Sequence, residues 1–313
     1  MDCFGPISRC LIGVVLAGSV AAGVGAASGL ERLRGERWQA SGSRIAALTL
    51  APKECLSPPT SIAHSQLVAI GRTAFADPLL LGGQAARMQM SCATCHSNGR
   101  RNATFLLPGL SGAPGTADVT SSILSSHRGN GVFDPQPIPD LAIATQDARG
   151  PRPALAGFVH GLITQEFDGA EPPPIAFAGL LAYIGAVRAC QPDVLEPITV
   201  DAAVADITAA VRAANDALRL NDKATARLML GAARSRLGNI HERYDMPALR
   251  RTQAEIAATD RPLLALQHAL DRGDNITPGL QAWQFPMSLR VRLRRDASRS
   301  LYDPATLAAQ IAD

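Results

Sequence analysis

The chain has 313 residues, of which 47% are hydrophobic, and a formal net charge of +3. That balance excludes a disordered polyelectrolyte and a strongly basic nucleic-acid binder, and an aromatic share of 4% leaves little to stack bases. No nucleic-acid partner is expected, and the length suits about two domains.

Residues 1–26 read as a secretory signal peptide. Arg9 supplies a positive n-region, Leu11 to Val20 an apolar run, and Val24-Gly25-Ala26 a small-residue cleavage site. The competing reading is an uncleaved membrane anchor, since apolar and small residues continue to Ala27. Such a stretch is at the short end of what spans a bilayer. The expectation is therefore a periplasmic protein with no stable membrane span once the signal is removed. Residues 27–60 follow as a poorly structured lead-in. Glu31, Arg32, Arg34, Glu36 and Arg37 mix charges there, and Pro52, Pro58 and Pro59 interrupt any helix. From Ser61 to Phe75, the positions Ile62, Leu67, Ile70 and Phe75 partly follow helical spacing and predict a helix.

The strongest signal comes next, in Ser91-Cys92-Ala93-Thr94-Cys95-His96. Two cysteines separated by two residues, with His directly after the second, form the pattern of covalent c-type haem attachment. One short turn brings both thiols to one edge of a porphyrin and carries the imidazole to the iron as proximal ligand. A thioredoxin-like redox pair would need a βαβ pattern nearby, which is absent. A zinc site would need further Cys or His at short spacing, and none follows before His127. Cys92, Cys95 and His96 are thus expected to bind one covalent haem c. Cys3 and Cys10 leave with the signal. Cys55 and Cys190 then remain as an even pair in an oxidising compartment, read either as a disulfide or as two unpaired thiols.

After His96 the chain is rich in turn residues, with Pro108, Gly112, Pro114 and Gly115 and then Pro135, Pro137 and Pro139. A loop-rich section of this length needs a reason to be ordered, and wrapping a large apolar cofactor is one. Ile175 to Ala189 follows three prolines and predicts a largely buried closing helix. Beyond Cys190 the chain becomes helical. Val204, Ile207, Val211, Ala214 and Leu218 share one face, and Asn221-Asp222 signals a turn and N-cap before a second helix that reaches about Arg243. Asp260 before Arg261-Pro262 predicts the start of another, ending near Gly273. The basic run Arg290, Arg292, Arg294, Arg295 and Arg299 reads as a solvated helix face, or as a patch that steers an acidic partner.

The string Ile70-Gly71-Arg72-Thr73-Ala74-Phe75-Ala76-Asp77-Pro78-Leu79-Leu80 ahead of the Cys-x-x-Cys-His motif resembles the bacterial di-haem cytochrome c peroxidase and MauG-like family. So does Arg152-Pro153-Ala154-Leu155 leading to Glu166-Phe167-Asp168-Gly169 and a closing helix. The resemblance covers about residues 60 to 190 and leaves the C-terminal part unmatched. It implies haem-based redox chemistry with two haems, whereas this chain has one attachment motif. Glu166 falls near the place where the family's electron-transfer haem often takes a Met ligand. No Met lies between His96 and Met229 to supply one.

His127 and His160 are the candidates for a distal iron ligand, with His64 behind them. His241 and His268 read as surface residues. The expected architecture is mainly α. A loop-rich c-type cytochrome haem domain at 61–190 is followed by an α-helical bundle domain at 196–313. The expected function is one-electron transfer to a redox partner protein. A peroxidase-type enzyme acting on hydrogen peroxide, with Glu166 as its acid/base group, is the first alternative. A haem-based sensor or interaction module is the second.

Overall fold

The computed structural model describes residues 33–120, 123–127, 131–143 and 152–311, so the expected signal segment lies outside the described residues. Helices dominate, with two short two-stranded pairings and no barrel. In chain order the helices are α1 (Arg44–Thr49), α2 (Ile62–Phe75), α3 (Pro78–Leu81), α4 (Gly83–Arg87), α5 (Cys92–Cys95), α6 (Arg152–Gly161) and α7 (Pro174–Ala186). They continue with α8 (Val200–Arg219), α9 (Lys223–Arg243), α10 (Arg250–Asp271), α11 (Thr277–Ala282), α12 (Met287–Asp296) and α13 (Pro304–Ala308). The strands are β1 (Leu50–Pro52), β2 (Thr116–Ala117), β3 (Gln136–Pro137) and β4 (Leu195–Pro197). β1 pairs antiparallel with β4, and β2 with β3. Among the described residues, no helix is long and apolar enough to cross a membrane.

The helix expected at 61–75 is α2. Ser61 begins it by accepting the His64 N–H at 3.0 Å, and the apolar positions Ile70, Ala74 and Phe75 are buried. The closing helix is α7, which starts on Pro174 and stops at Ala186. The two cross backbone to backbone at Gly71 and Gly179. A Cβ added to Gly71 would collide with the Gly179 carbonyl, and one added to Gly179 would sit 2.8 Å from the Leu67 carbonyl oxygen. No side chain fits at either position, which is what brings the axes so close.

The C-terminal helices join this pair through one continuous core that runs from Ile70 and Leu180 to Leu230 and Leu293. The segments expected as separate domains therefore share their interior, and the described residues belong to one compact unit. The buried face of α8 carries Val204, Ile207, Val211 and Ala214, as its spacing predicts. Asp222 caps α9 by accepting the Thr225 N–H at 2.8 Å. It also accepts the Ile175 N–H at 3.1 Å, and Thr225 Oγ1 accepts the Ala176 N–H at 3.0 Å. Two side chains of α9 thus satisfy the open N–H groups at the start of α7.

A chain of charge crosses the same contact. Arg72 bonds Glu54 and Asp206 at 2.6 Å each, and Asp206 bonds Arg236 at 2.9 Å. Asp77 lies at its edge and accepts the Leu79 N–H at 3.1 Å while its Oδ2 is buried without a partner. Burial pushes the Asp77 carboxyl up to about 7, against that hydrogen bond and the charge of Arg236.

Three expectations change. The described part of the lead-in, from Leu33, is packed into the fold rather than irregular. Trp38 joins the main core, Arg34 bonds Glu242 at 3.3 Å, and Leu33 and Leu48 pack with Leu301, Leu307 and Ile311 in a second small core. Each of these contacts is distant in sequence, so no local periodicity announces them. The helix expected to start at Asp260 begins at Arg250, and Pro262 lies inside it. Asp260 is not a cap there; it pairs with Arg234 at 2.9 Å. The basic run is more than a bare solvated face: Arg294, Arg295 and Arg299 stay exposed, but every arginine of the run has a carboxylate partner. Arg290 and Arg294 meet Asp201, Arg292 meets Glu255, and Arg295 and Arg299 meet Asp296.

Cys55 and Cys190 form a disulfide, with Cα atoms 5.5 Å apart across a sequence separation of 135. It ties the lead-in to the residue just beyond α7.

Gly71→Ala should destabilise the fold by about 3 kcal/mol, because backbone on the facing helix cannot yield as a side chain would; denaturant unfolding measures this. Asp77→Asn keeps a capping oxygen but removes the buried charge. The native group is raised above its unfolded value of about 3.9, so its ionisation lowers stability as pH climbs from about 4 to 7. The variant should therefore melt higher than wild type at pH 8, with the gain shrinking toward zero near pH 4.

Candidate functional site

The Cys-x-x-Cys-His stretch forms one helical turn, α5, whose ends are tied by hydrogen bonds. At the start, the Ser91 N–H donates to Thr94 Oγ1 at 3.0 Å; at the end, the His96 N–H donates to the Cys92 carbonyl at 2.9 Å. Asn98 then takes a left-handed conformation (φ +51°) and donates to the Pro52 carbonyl at 2.8 Å. Asn102 closes the turn from outside. Its N–H donates to the Cys95 carbonyl and its Nδ2 to the Thr94 carbonyl, each at 2.9 Å. Its Oδ1 accepts from the Thr104 N–H and hydroxyl.

Cys92 and Cys95 are the free cysteines among the described residues. Both keep part of their residue surface accessible, yet their thiols sit deep enough that burial pushes each up to about 12. His96 is likewise partly accessible, while its Nδ1 is fully enclosed without a hydrogen-bond partner. Burial lowers His96 to about 4, outweighing the Pro139 carbonyl and the Asp140 charge, which favour the protonated ring. The Pro139 carbonyl thus faces the imidazole, but not at the geometry of a formed bond to Nδ1. The imidazole is neutral at pH 7, the state in which it can bind a metal.

Arg100, buried just after the motif, fixes the strap that carries Pro139. It bonds Asp140 at 2.8 Å and Asp193 at 2.9 Å. On the α2 side, the Phe75 ring lies 6.5 Å from His96 and 5.0 Å from Tyr183, whose hydroxyl donates to Glu54 at 2.7 Å. The site therefore rests on the helix crossing described above.

The other histidine candidates have partners of their own. His127 is largely exposed; its Nδ1 is 2.9 Å from the Gln165 carbonyl and 3.4 Å from Asp168. His160, in α6, bonds Glu171 at 2.8 Å and meets Phe177 edge to face. His64 is half-buried, and its Nδ1 accepts the Thr60 N–H at 3.1 Å. Glu166 ends a π-helical turn, Leu162–Glu166, a distortion often found at functional sites. Its Oε2 is buried without a partner. Burial raises its carboxyl, helped by Asp118 and Asp168 and opposed by His127. Glu166 and His127 thus share one neighbourhood, in a stretch that packs through Phe167 and Gly169 on Gly83 and Leu81, ahead of the Cys92–His96 turn.

The residues present fit a covalently held porphyrin. Two adjacent thiols on one turn are unpaired, the one other cysteine pair among the described residues is consumed by a disulfide, and an enclosed imidazole nitrogen is left without a partner. Among the described residues, no group of three or more His, Cys, Asp or Glu is arranged to hold a metal ion by itself. The search of protein families, curated proteins and solved structures finds no match to this chain.

Sequence reasoning missed Asn102, Arg100 and the Glu54–Tyr183 pair. Asn98-Gly99 signals the turn after the motif, but nothing local marks partners found 40 to 129 positions away.

Asn102→Ala should cost about 1–3 kcal/mol, because it strips the Thr94 carbonyl of its donor within a half-buried turn. Thermal or denaturant melting checks it.

Proposed function

We propose that this protein is a periplasmic mono-haem c-type cytochrome that transfers single electrons to a redox partner protein. The observation that carries the reading is the pairing of two free thiols on one turn with a half-buried His96 directly after them, whose Nδ1 is enclosed without a hydrogen bond. Cys92 and Cys95 would hold the ring through thioether bonds, and His96 would bind the iron. Bound there, haem supplies one-electron chemistry, with iron alternating between ferrous and ferric states. The burial that keeps His96 neutral also limits water at the metal, one of the levers that sets a potential. The single motif and the resemblance to di-haem peroxidases together favour a carrier over a two-haem relay. The expected address rests on the signal-like segment at 1–26, and an uncleaved anchor there is the competing form.

A distal ligand from His127 or His160 would use the ring nitrogen left open by its present partner, Nε2 of His127 beside Gln165 or Nδ1 of His160 beside Glu171. Glu166 supports a second reading, a peroxidase-type activity. A carboxyl raised by burial with one oxygen uncommitted suits a group that must accept and return a proton.

The two readings diverge in turnover. The haem-loaded protein should exchange electrons rapidly with small mediators and consume hydrogen peroxide weakly or not at all with a reduced cytochrome donor. Peroxide turnover well above that of free haem, lost in Glu166→Gln with haem retained, would establish the enzyme instead. His127→Ala and His160→Ala should each be scanned by absorption spectroscopy. A low-spin spectrum that changes in one of them names the distal ligand, and one that changes in neither excludes both.

A further inference from the structure

A cavity of about 370 Å³ lies between α8 and the segment carrying α11 and α12, away from the Cys92–His96 turn. It falls within the size range of small-molecule sites, roughly 300–1,000 Å³. Val211 lines it from α8. Trp283 and Phe285 form an aromatic wall, with ring centroids 6.5 Å apart and planes at 80°, and Met287 stands exposed beside them. The chain has two tryptophans, and one of them is placed here.

The charged groups are of one sign, among neutral Thr208, Asn215, Gln281 and Gln284. Two guanidiniums line the cavity, and no acidic side chain among the described residues does. Arg290 is already committed to Asp201 at 3.1 Å. Arg212 is exposed and has no ion-pair or hydrogen-bond partner among the described residues. Asn215 lies three residues on, on the same face of α8. Its Oδ1 is buried without a hydrogen-bond partner, so the fold does not use its acceptor, and a half-turn of the terminal amide exchanges oxygen for N–H2. One free planar cation, one uncommitted amide and an aromatic wall define the ligand's chemistry. A cation is repelled, and a neutral hydrocarbon leaves Arg212 and Asn215 unused. A polyphosphate would bring more charge than one free guanidinium matches.

We infer that this cavity binds a small aromatic carboxylate, its ring against Trp283 and its carboxylate on Arg212 and Asn215. The charge-assisted bond is the larger polar contribution, and the aromatic contact sets the shape. The inference does not depend on haem.

Isothermal titration of the full-length purified protein with 2-naphthoate tests it, with 2-naphthalenemethanol as the uncharged counterpart. Saturable one-site binding is expected, weakened about tenfold or more in Arg212→Gln, in Trp283→Leu, and for the alcohol. Arg212 is exposed, so its variant should melt as wild type does and report on the ligand contact alone. Absence of saturable binding up to about millimolar 2-naphthoate would overturn the inference. So would undiminished affinity in Arg212→Gln or for the alcohol.

Discussion

The crossing of α2 and α7 at Gly71 and Gly179 is the constraint on which the rest of the molecule depends. With no Cβ on either side, backbone meets backbone, and the flanking side chains are drawn into register. Phe75 at the end of α2 then reaches both Tyr183 of α7 and the His96 ring. Arg72, one residue past Gly71, is aimed away from the crossing at Glu54 and Asp206. A single close approach therefore sets the wall behind the candidate site and the charged seam to the C-terminal helices. The Cys55–Cys190 disulfide and the β1–β4 pairing fasten the same region from the lead-in side.

The electrostatics of the two ends differ in kind. Around Cys92, Cys95 and His96, burial dominates: it keeps both thiols protonated and the imidazole neutral. Such thiols are poor nucleophiles at pH 7, which argues against a disulfide-exchange role. At the far end, charge pairing dominates. Burial opposes ionisation of Asp296, yet hydrogen bonds from Arg295, Thr252 and Arg299 hold its carboxyl down at about 2. The arginines of the basic run hold Asp201, Glu255 and Asp296 while Arg294, Arg295 and Arg299 stay exposed.

Local signals in the sequence were reliable where the physics is local. The apolar spacing of Val204, Ile207 and Val211, the Asn221-Asp222 cap and the prolines before Ile175 each mark an element that forms. The Cys92–Cys95 turn was legible too, because the Cys-x-x-Cys-His spacing already implies one short turn. Signals failed where a non-local partner decides. Asp260 has the look of a cap, but Arg234 claims it and the helix runs on through Pro262. Trp38, Leu33 and Leu48 follow no period because each packs on a different part of the chain. The sharing of one core by 61–190 and 196–313 was equally hidden, since a composition shift says nothing about which faces meet.

The central claim is covalent haem at Cys92 and Cys95, and intact mass measures it directly. The full-length gene should be expressed in a host that matures c-type cytochromes. The account predicts a polypeptide carrying the mass of one haem, with the addition abolished in Cys92→Ala/Cys95→Ala. A folded, exported chain of unmodified mass from that host would contradict it.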